Sequence, residues 1–148
     1  EAEALWLMRH TISESQKREG ASLKHDVSVP VADIAAFIDQ ASSAVLACLP
    51  GTRVVPFGHA GDGNIHFNLS QPREMDAEDF LSRREQLAFV VYDVVERFKG
   101  SISAEHGVGQ AKRNDLKRYK SEVEISLMRT LKQAFDPNNL LNPGKVIL

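Results

Sequence analysis

Two stretches carry side chains able to do chemistry together. In residues 56–68, His59 and His66 lie among glycines at positions 58, 61 and 63. Glycine permits positive φ and close backbone approach, so such a turn can fold two imidazoles toward one point. In residues 103–109, Glu105 and His106 stand side by side in Ser-Ala-Glu-His-Gly-Val-Gly. His59, His66 and Glu105 together offer two imidazoles and one carboxylate. That donor set suits Zn²⁺, Mn²⁺ or Fe²⁺ and leaves coordination positions open to water or substrate. His106 then remains as a general base whose proton affinity depends on the nearby cation.

The same residues admit weaker readings. Asp62 could mark a calcium loop, but the regular acidic ligand spacing is absent. The glycines could cradle a phosphate, but no Gly-Lys-Ser/Thr follows them. A metal hydrolase using His106 is a further option. The non-catalytic alternative is a ferredoxin-like metal- or ligand-binding module whose histidines are only hydrogen-bonded.

The elements that position these residues are legible from hydrophobic spacing. Residues 1–10 predict a short helix with Leu5, Trp6 and Met8 on its apolar side. The stretch 11–20 is polar and breaks at Gly20. On these residues alone Arg9 is a solvated arginine. Residues 24–30 alternate polar and apolar and end in proline, which predicts a strand with Lys24, His25 and Asp26 alternating between faces. Residues 31–49 predict a helix, with Ile34, Phe37, Ile38, Ala41, Val45 and Cys48 recurring at threes and fours. Strands at 52–57 and 64–70 flank the glycine turn and pair antiparallel. In the second of these, His66 and Asn68 share one face, while Ile65, Phe67 and Leu69 share the other.

Residues 76–98 predict a long helix, and 101–104 a fourth strand that delivers Glu105 and His106. The order strand, helix, strand, strand, helix, strand is the split βαβ pattern of an α+β, ferredoxin-like antiparallel sheet. Its helices lie on one face and leave the other for a ligand or partner domain. A helical C-terminal extension follows: a surface helix at 110–119, then a capping box at Ser121 and Glu124 opening a helix with Leu127, Met128, Leu131, Ala134 and Phe135. Asp136-Pro137 ends it. One domain with a tail, residues 1–148, is the simplest division.

Composition narrows the class. The chain has 148 residues, 43% hydrophobic and 26% charged, with a formal net charge of −2. That is ordinary globular composition with no basic field for nucleic acid. No apolar run approaches the ~20 residues that span a bilayer. The single cysteine, Cys48, forms no internal disulfide and fits a reducing compartment. The expected location is therefore the cytoplasm, at most the periphery of the inner membrane. The chain starts without methionine in what reads as a running helix, which suggests a fragment of a longer protein.

Three motifs carry a resemblance. They are Gly58-His59-Ala60-Gly61-Asp62-Gly63-Asn64-Ile65-His66, Ser103-Ala104-Glu105-His106-Gly107-Val108-Gly109, and Asp136-Pro137-Asn138-Asn139-Leu140-Leu141-Asn142-Pro143-Gly144-Lys145. In combination and order they resemble the C-terminal domain of the FAD-linked oxidases, which include D-lactate dehydrogenases, the glycolate oxidase flavin subunit and D-2-hydroxyglutarate dehydrogenase. The resemblance implies a substrate- and metal-binding cap domain whose FAD lies mainly on a separate N-terminal domain. It implies His59, His66 and Glu105 as ligands of a divalent metal, zinc or manganese, and His106 as the base. It implies Arg9 and Lys24 as partners of the substrate carboxylate, with Ser13 and Asn68 nearby. Asn142 resembles the tail residue that approaches the flavin. Ser13 stands where some members have threonine. The implied reaction oxidises a 2-hydroxy acid to a 2-keto acid with hydride transfer to FAD. A quinone, a cytochrome or an electron-transferring flavoprotein would reoxidise the flavin. Partners would then be the FAD-binding domain, the hydroxy acid and a second copy in a homodimer. The isolated fragment would lack activity and would not hold FAD tightly.

Overall fold

In a computed structural model of the chain, residues 1–147 are described, except for the side chains of Ser13 and Lys17. The expected substrate contact at Ser13 therefore lies outside the described residues. The chain divides into two compact units, Glu1–Ala104 and Glu105–Leu148.

The first unit is built on an open antiparallel sheet. Its strands are β1 (Ser22–Leu23), β2 (Asp26–Ser28), β3 (Arg53–His59) and β4 (Asn64–Ser70). β4 is central: β3 pairs along its whole length on one side, and β1 and β2 share its other side end to end. The expected strand at 24–30 is thus two short strands with a break at Lys24 and His25. The break is still tied to the sheet, because the Phe67 N–H donates to the His25 carbonyl at 2.8 Å. The expected fourth strand is reduced to one antiparallel bridge, Ser101 against Ser28. Ser101 lies at the outer edge, so the order is that of a split βαβ, ferredoxin-like sheet.

Helix α2 (Ile34–Cys48) and helix α4 (Arg84–Arg97) cover one sheet face. Phe37, Ala41 and Val45 of α2 are fully buried with Leu87, Val91, Val94 and Val95 of α4. They pack with Val27, Ile65, Phe67 and Leu69 of the sheet in one apolar core, where Phe37 meets Phe67 edge to face at 5.6 Å. Residues Val31–Cys48, with mean hydropathy 1.4, are long and apolar enough to cross a membrane by length and composition, which the count of apolar runs did not anticipate. The buried side of α2 makes it a core helix here.

Two helix boundaries differ from expectation. The predicted helix over 76–98 is α3 (Ala77–Ser82) and α4, separated at Arg83. The Ser82 hydroxyl donates to the Asp79 carbonyl at 2.6 Å, a local bond that competes with the helical ladder. At the N-terminus, α1 runs through Ala2–Gln16, past residue 10 where the expected short helix ends and into the polar stretch. Leu5, Trp6, Leu7 and Met8 of α1 are all exposed.

The second unit holds α5 (Arg113–Tyr119) and α6 (Glu122–Phe135). The capping box at Ser121 and Glu124 is present as expected. Along α6, Leu127, Leu131 and Phe135 are exposed, and Ile125 is the buried residue. Asp136 closes the helix. Its carboxylate accepts the N–H groups of Leu140 at 2.8 Å and Leu141 at 2.9 Å and pairs with Lys132. The tail returns to the start of the unit, where the Val146 N–H donates to the Gly109 carbonyl at 2.7 Å.

The Lys132 ammonium, then the two tail N–H groups, hold the Asp136 carboxyl below its usual range. The Ser121 N–H, Lys120 and the Ser121 hydroxyl lower that of Glu124 from 4.5 to about 2. A carboxyl depressed on folding stabilises above its unfolded pKa and loses that contribution as pH falls through the folded value. The second unit should therefore weaken from about pH 4.5 downward, the loss continuing to about pH 2. Thermal melting followed by far-ultraviolet circular dichroism checks this, and Asp136→Asn should flatten part of the decline. The glycine turn gives a second expectation. Gly63 has φ +77°, and an added Cβ would lie 2.1 Å from the Val29 carbonyl oxygen, whereas nothing lies within 4 Å of one at Gly61. Gly63→Ala should cost about 1–3 kcal/mol or more, and Gly61→Ala should stay within about 1 kcal/mol of the parent in urea unfolding.

Candidate functional site

β4 has two unlike faces because successive strand side chains point opposite ways. Ile65, Phe67 and Leu69 face the helices, while Asn64, His66, Asn68 and Ser70 lie on the other side. The register carries that second face across the sheet. Asp26 of β2 and Phe57 of β3 both oppose His66, Val55 opposes Asn68, and His59 opposes Asn64. Directly opposed residues share a face, so Asp26, Phe57, His59, His66 and Asn68 form one surface.

On this surface the His59 and His66 rings meet edge to face, with centroids 6.4 Å apart. The turn between them holds its shape through close backbone approach. A Cβ at Gly58 would lie 2.1 Å from the Asn64 carbonyl oxygen. Asp62 is a turn residue, its Oδ1 accepting the Asn64 N–H at 3.0 Å. Its Oδ2 lies 3.6 Å from His59 Nδ1. On the far side of His66, Asp26 Oδ1 lies 4.0 Å from His66 Nδ1. Asp26 is only 3% exposed. Its Oδ2 accepts the Ala104 N–H at 3.2 Å.

α1 adds polar groups to the same face. The Arg9 guanidinium carbon lies 6.0 Å from the centroid of the Phe57 ring, a cation–π distance. Phe57 in turn lies 5.1 Å from the His66 ring. At the other end of α1, Gln16 accepts from Asn68 Nδ2 at 2.7 Å and donates to Ser70 Oγ at 3.2 Å. Asn68, an expected substrate contact, thus has one amide hydrogen engaged with Gln16.

Of the residues expected in the site, Arg9, His59, His66 and Asn68 belong to the site face of the first unit. Lys24 is exposed at the break between β1 and β2. Glu105, His106 and Asn142 belong to the second unit and are exposed, Asn142 with φ +46°. Glu105 directly follows Ala104, whose N–H Asp26 holds. His25 serves the core side: its Nδ1–H donates to the Phe67 carbonyl at 2.9 Å, and its ring stands edge-on to Tyr92. Sequence reasoning missed Asp26 and Gln16. Asp26 had a signal, since it falls two residues from Lys24 in a strand and opposite His66 once the strands pair. Gln16 had none.

Two imidazoles with a buried carboxylate beside them fit a divalent cation by donor chemistry. The glycine turn at 58–63 leads into a strand rather than a helix N-terminus and so forms no dinucleotide loop.

Comparison with known proteins places these residues in a wider context. The family described as "FAD linked oxidases, C-terminal domain" matches residues 1–146. The chain is 40% identical over 142 residues to a protein named D-2-hydroxyglutarate dehydrogenase from Stutzerimonas stutzeri, covering 96% of the chain and 30% of that protein. It is 40% identical over 146 residues to one of the same name from Xanthomonas citri pv. viticola, covering 99% of the chain and 31% of that protein. A protein named D-2-hydroxyglutarate dehydrogenase, mitochondrial, from Danio rerio is 36% identical over 144 residues, covering 97% of the chain and 26% of that protein. The chain therefore spans about three tenths of the length of these relatives.

The Gln16 bridge generates a test of how α1 is held. Gln16→Ala leaves two buried polar groups, Asn68 Nδ2 and Ser70 Oγ, without that partner. The cost should be about 1–3 kcal/mol. Hydrogen exchange should locate the loss, with faster exchange along α1 and little change in α4.

Proposed function

The chain belongs to the FAD-linked oxidase C-terminal domain family, and on that premise we propose that it is the substrate- and metal-holding domain of a flavin-dependent D-2-hydroxyacid dehydrogenase. The observation that supports this most is the polar face of the sheet. His66 of β4 and His59 of β3 meet ring edge to face on it, and Arg9 stands over the Phe57 ring next to His66. A strand whose other face is fully apolar carries such residues at a cost that a site explains.

The roles assigned are these. Arg9 and Lys24 bind the substrate carboxylate, Arg9 with a planar fork suited to it. Asn68, with Ser13, orients the hydroxy acid. His59, His66 and Glu105 hold a divalent cation, zinc or manganese. His106 takes the proton of the 2-hydroxyl, and Asn142 approaches the flavin from the tail. A cation held by these residues would supply polarisation of the 2-hydroxyl, and the flavin of the partner domain would supply the hydride acceptor for C2. The product is a 2-keto acid. D-2-hydroxyglutarate is the first substrate to try, because the relatives carry that name. The FAD-binding domain of the same protein is the partner, and a quinone, a cytochrome or an electron-transferring flavoprotein reoxidises the flavin. A homodimer and a cytoplasmic location complete the reading.

The test uses the full-length enzyme in which this chain is joined to its flavin domain. Flavin reduction by a D-2-hydroxy acid is followed in single turnovers beside metal analysis. Replacing His106 by Ala should slow reduction by roughly 10²–10⁴-fold and leave the metal in place. His59→Ala should lose metal and rate together. Absence of flavin reduction by any 2-hydroxy acid with metal bound would overturn the reading in favour of a binding module.

A further inference from the structure

We propose that Asp26 is a positioning residue for His66: its carboxylate receives the Nδ1–H of the imidazole and thereby presents Nε2 as the metal-binding atom. The inference rests on the metal-holding role assigned to His66 above, and it concerns a residue to which that reading gives no part.

Three observations carry it. The first is register. Asp26 and His66 are directly opposed across β2 and β4, so their side chains leave the sheet on the same face next to each other. The second is burial. Asp26 is 3% exposed, and the His66 side chain is 19% exposed. A carboxylate so buried is retained only against strong local compensation. The third is a division of labour between the two oxygens. Oδ2 accepts the Ala104 N–H at 3.2 Å and so ties the sheet to the segment that leads into Glu105. Oδ1 lies 4.0 Å from His66 Nδ1. A shift of about 1 Å turns that approach into a charge-assisted hydrogen bond.

Chemistry then selects the tautomer. A carboxylate accepts and never donates, so the nitrogen it faces must carry the hydrogen. The lone pair is left on Nε2. Metal-binding imidazoles commonly donate their other N–H to a carboxylate, which fixes the ring and raises its basicity. A purely structural Asp26 needs only the Ala104 bond. The substitution Asp26→Asn separates the two jobs. The asparagine oxygen can keep the Ala104 N–H, while its NH₂ group turns toward His66 and demands a lone pair on Nδ1.

The experiment uses the 148-residue chain. Imidazole tautomers are read by long-range ¹H–¹⁵N correlation, Zn²⁺ affinity by calorimetric titration, and folding by thermal melting. In the parent, metal-free His66 should carry its hydrogen on Nδ1. In Asp26→Asn the tautomer should switch to Nε2–H, with Zn²⁺ affinity reduced roughly 10–100-fold and the fold kept. The proposal is overturned by an Nε2–H tautomer in the parent, or by parent-like Zn²⁺ affinity in the variant. It is also overturned if the variant binds no Zn²⁺ while His66 keeps its tautomer, since Asp26 would then be a ligand itself. Should the variant not fold, the parent tautomer alone decides. A parent chain that binds no Zn²⁺ would refute the metal reading, while the tautomer still decides the Asp26–His66 pairing.

Discussion

Everything in the first unit depends on the two-residue alternation of β4. This strand is the one to which every other strand pairs. Its odd-numbered residues, Ile65, Phe67 and Leu69, are in the core, and its even-numbered ones make the site face. A slip of one residue would drive His66 and Asn68 into the helices and expose Phe67. The register is pinned at the hairpin, where Gly58 and Gly63 let backbones approach too closely for any side chain. Site and core are therefore two readings of one alignment.

The polar face brings a constraint of its own. Asn68 and Ser70 are almost wholly buried, and buried polar groups need partners. Gln16 supplies both bonds from the C-terminal end of α1. α1 sits where it does chiefly for this reason, since its large apolar residues Leu5, Trp6, Leu7 and Met8 stay exposed. The helix is anchored by polar satisfaction at Gln16 and by the Arg9–Phe57 contact rather than by an apolar stripe. That anchorage also brings Arg9 to the site face, which no local pattern around residue 9 indicates.

How far the sequence is legible follows from which forces act locally. The strand at 64–70 and its two faces were readable because alternation is a local signal. So were α2, the capping box at Ser121 and the stop at Asp136-Pro137. The break at Lys24 and His25 was not, because it depends on His25 bonding to Phe67 from the far side of the chain. The split of α3 from α4 at Arg83 is a local backbone choice that hydrophobic spacing does not encode. Leu127, Leu131 and Phe135 have helical spacing, yet they are exposed; periodicity tells which residues share a face and not whether anything covers it. Among the expected site residues, the motifs single out His59, His66, Glu105 and His106, whereas the place of Asp26 opposite His66 emerges only after strand pairing. A carboxylate in an edge strand reads as solvated until its neighbour across the sheet is known.

The site face is also where the chain departs from what its fold alone would favour. Asp26, His66, Asn68 and Ser70 occupy sheet positions with little access to water, where aliphatic side chains of similar volume would be cheaper to bury. Specific bonds support this polarity: the Ala104 N–H donates to Asp26, and Gln16 bonds both Asn68 and Ser70. Such over-determined polar positions gather where a protein binds or reacts, because the same arrangement that costs stability holds groups in fixed directions. A mobile surface histidine would bind a cation with a large loss of conformational freedom. His66, flanked by Phe57 on one strand and Asp26 on the other, has lost most of it before any ligand arrives. The sheet does for His66 what a second helix or a disulfide does elsewhere: it converts folding energy into preorganisation of a side chain.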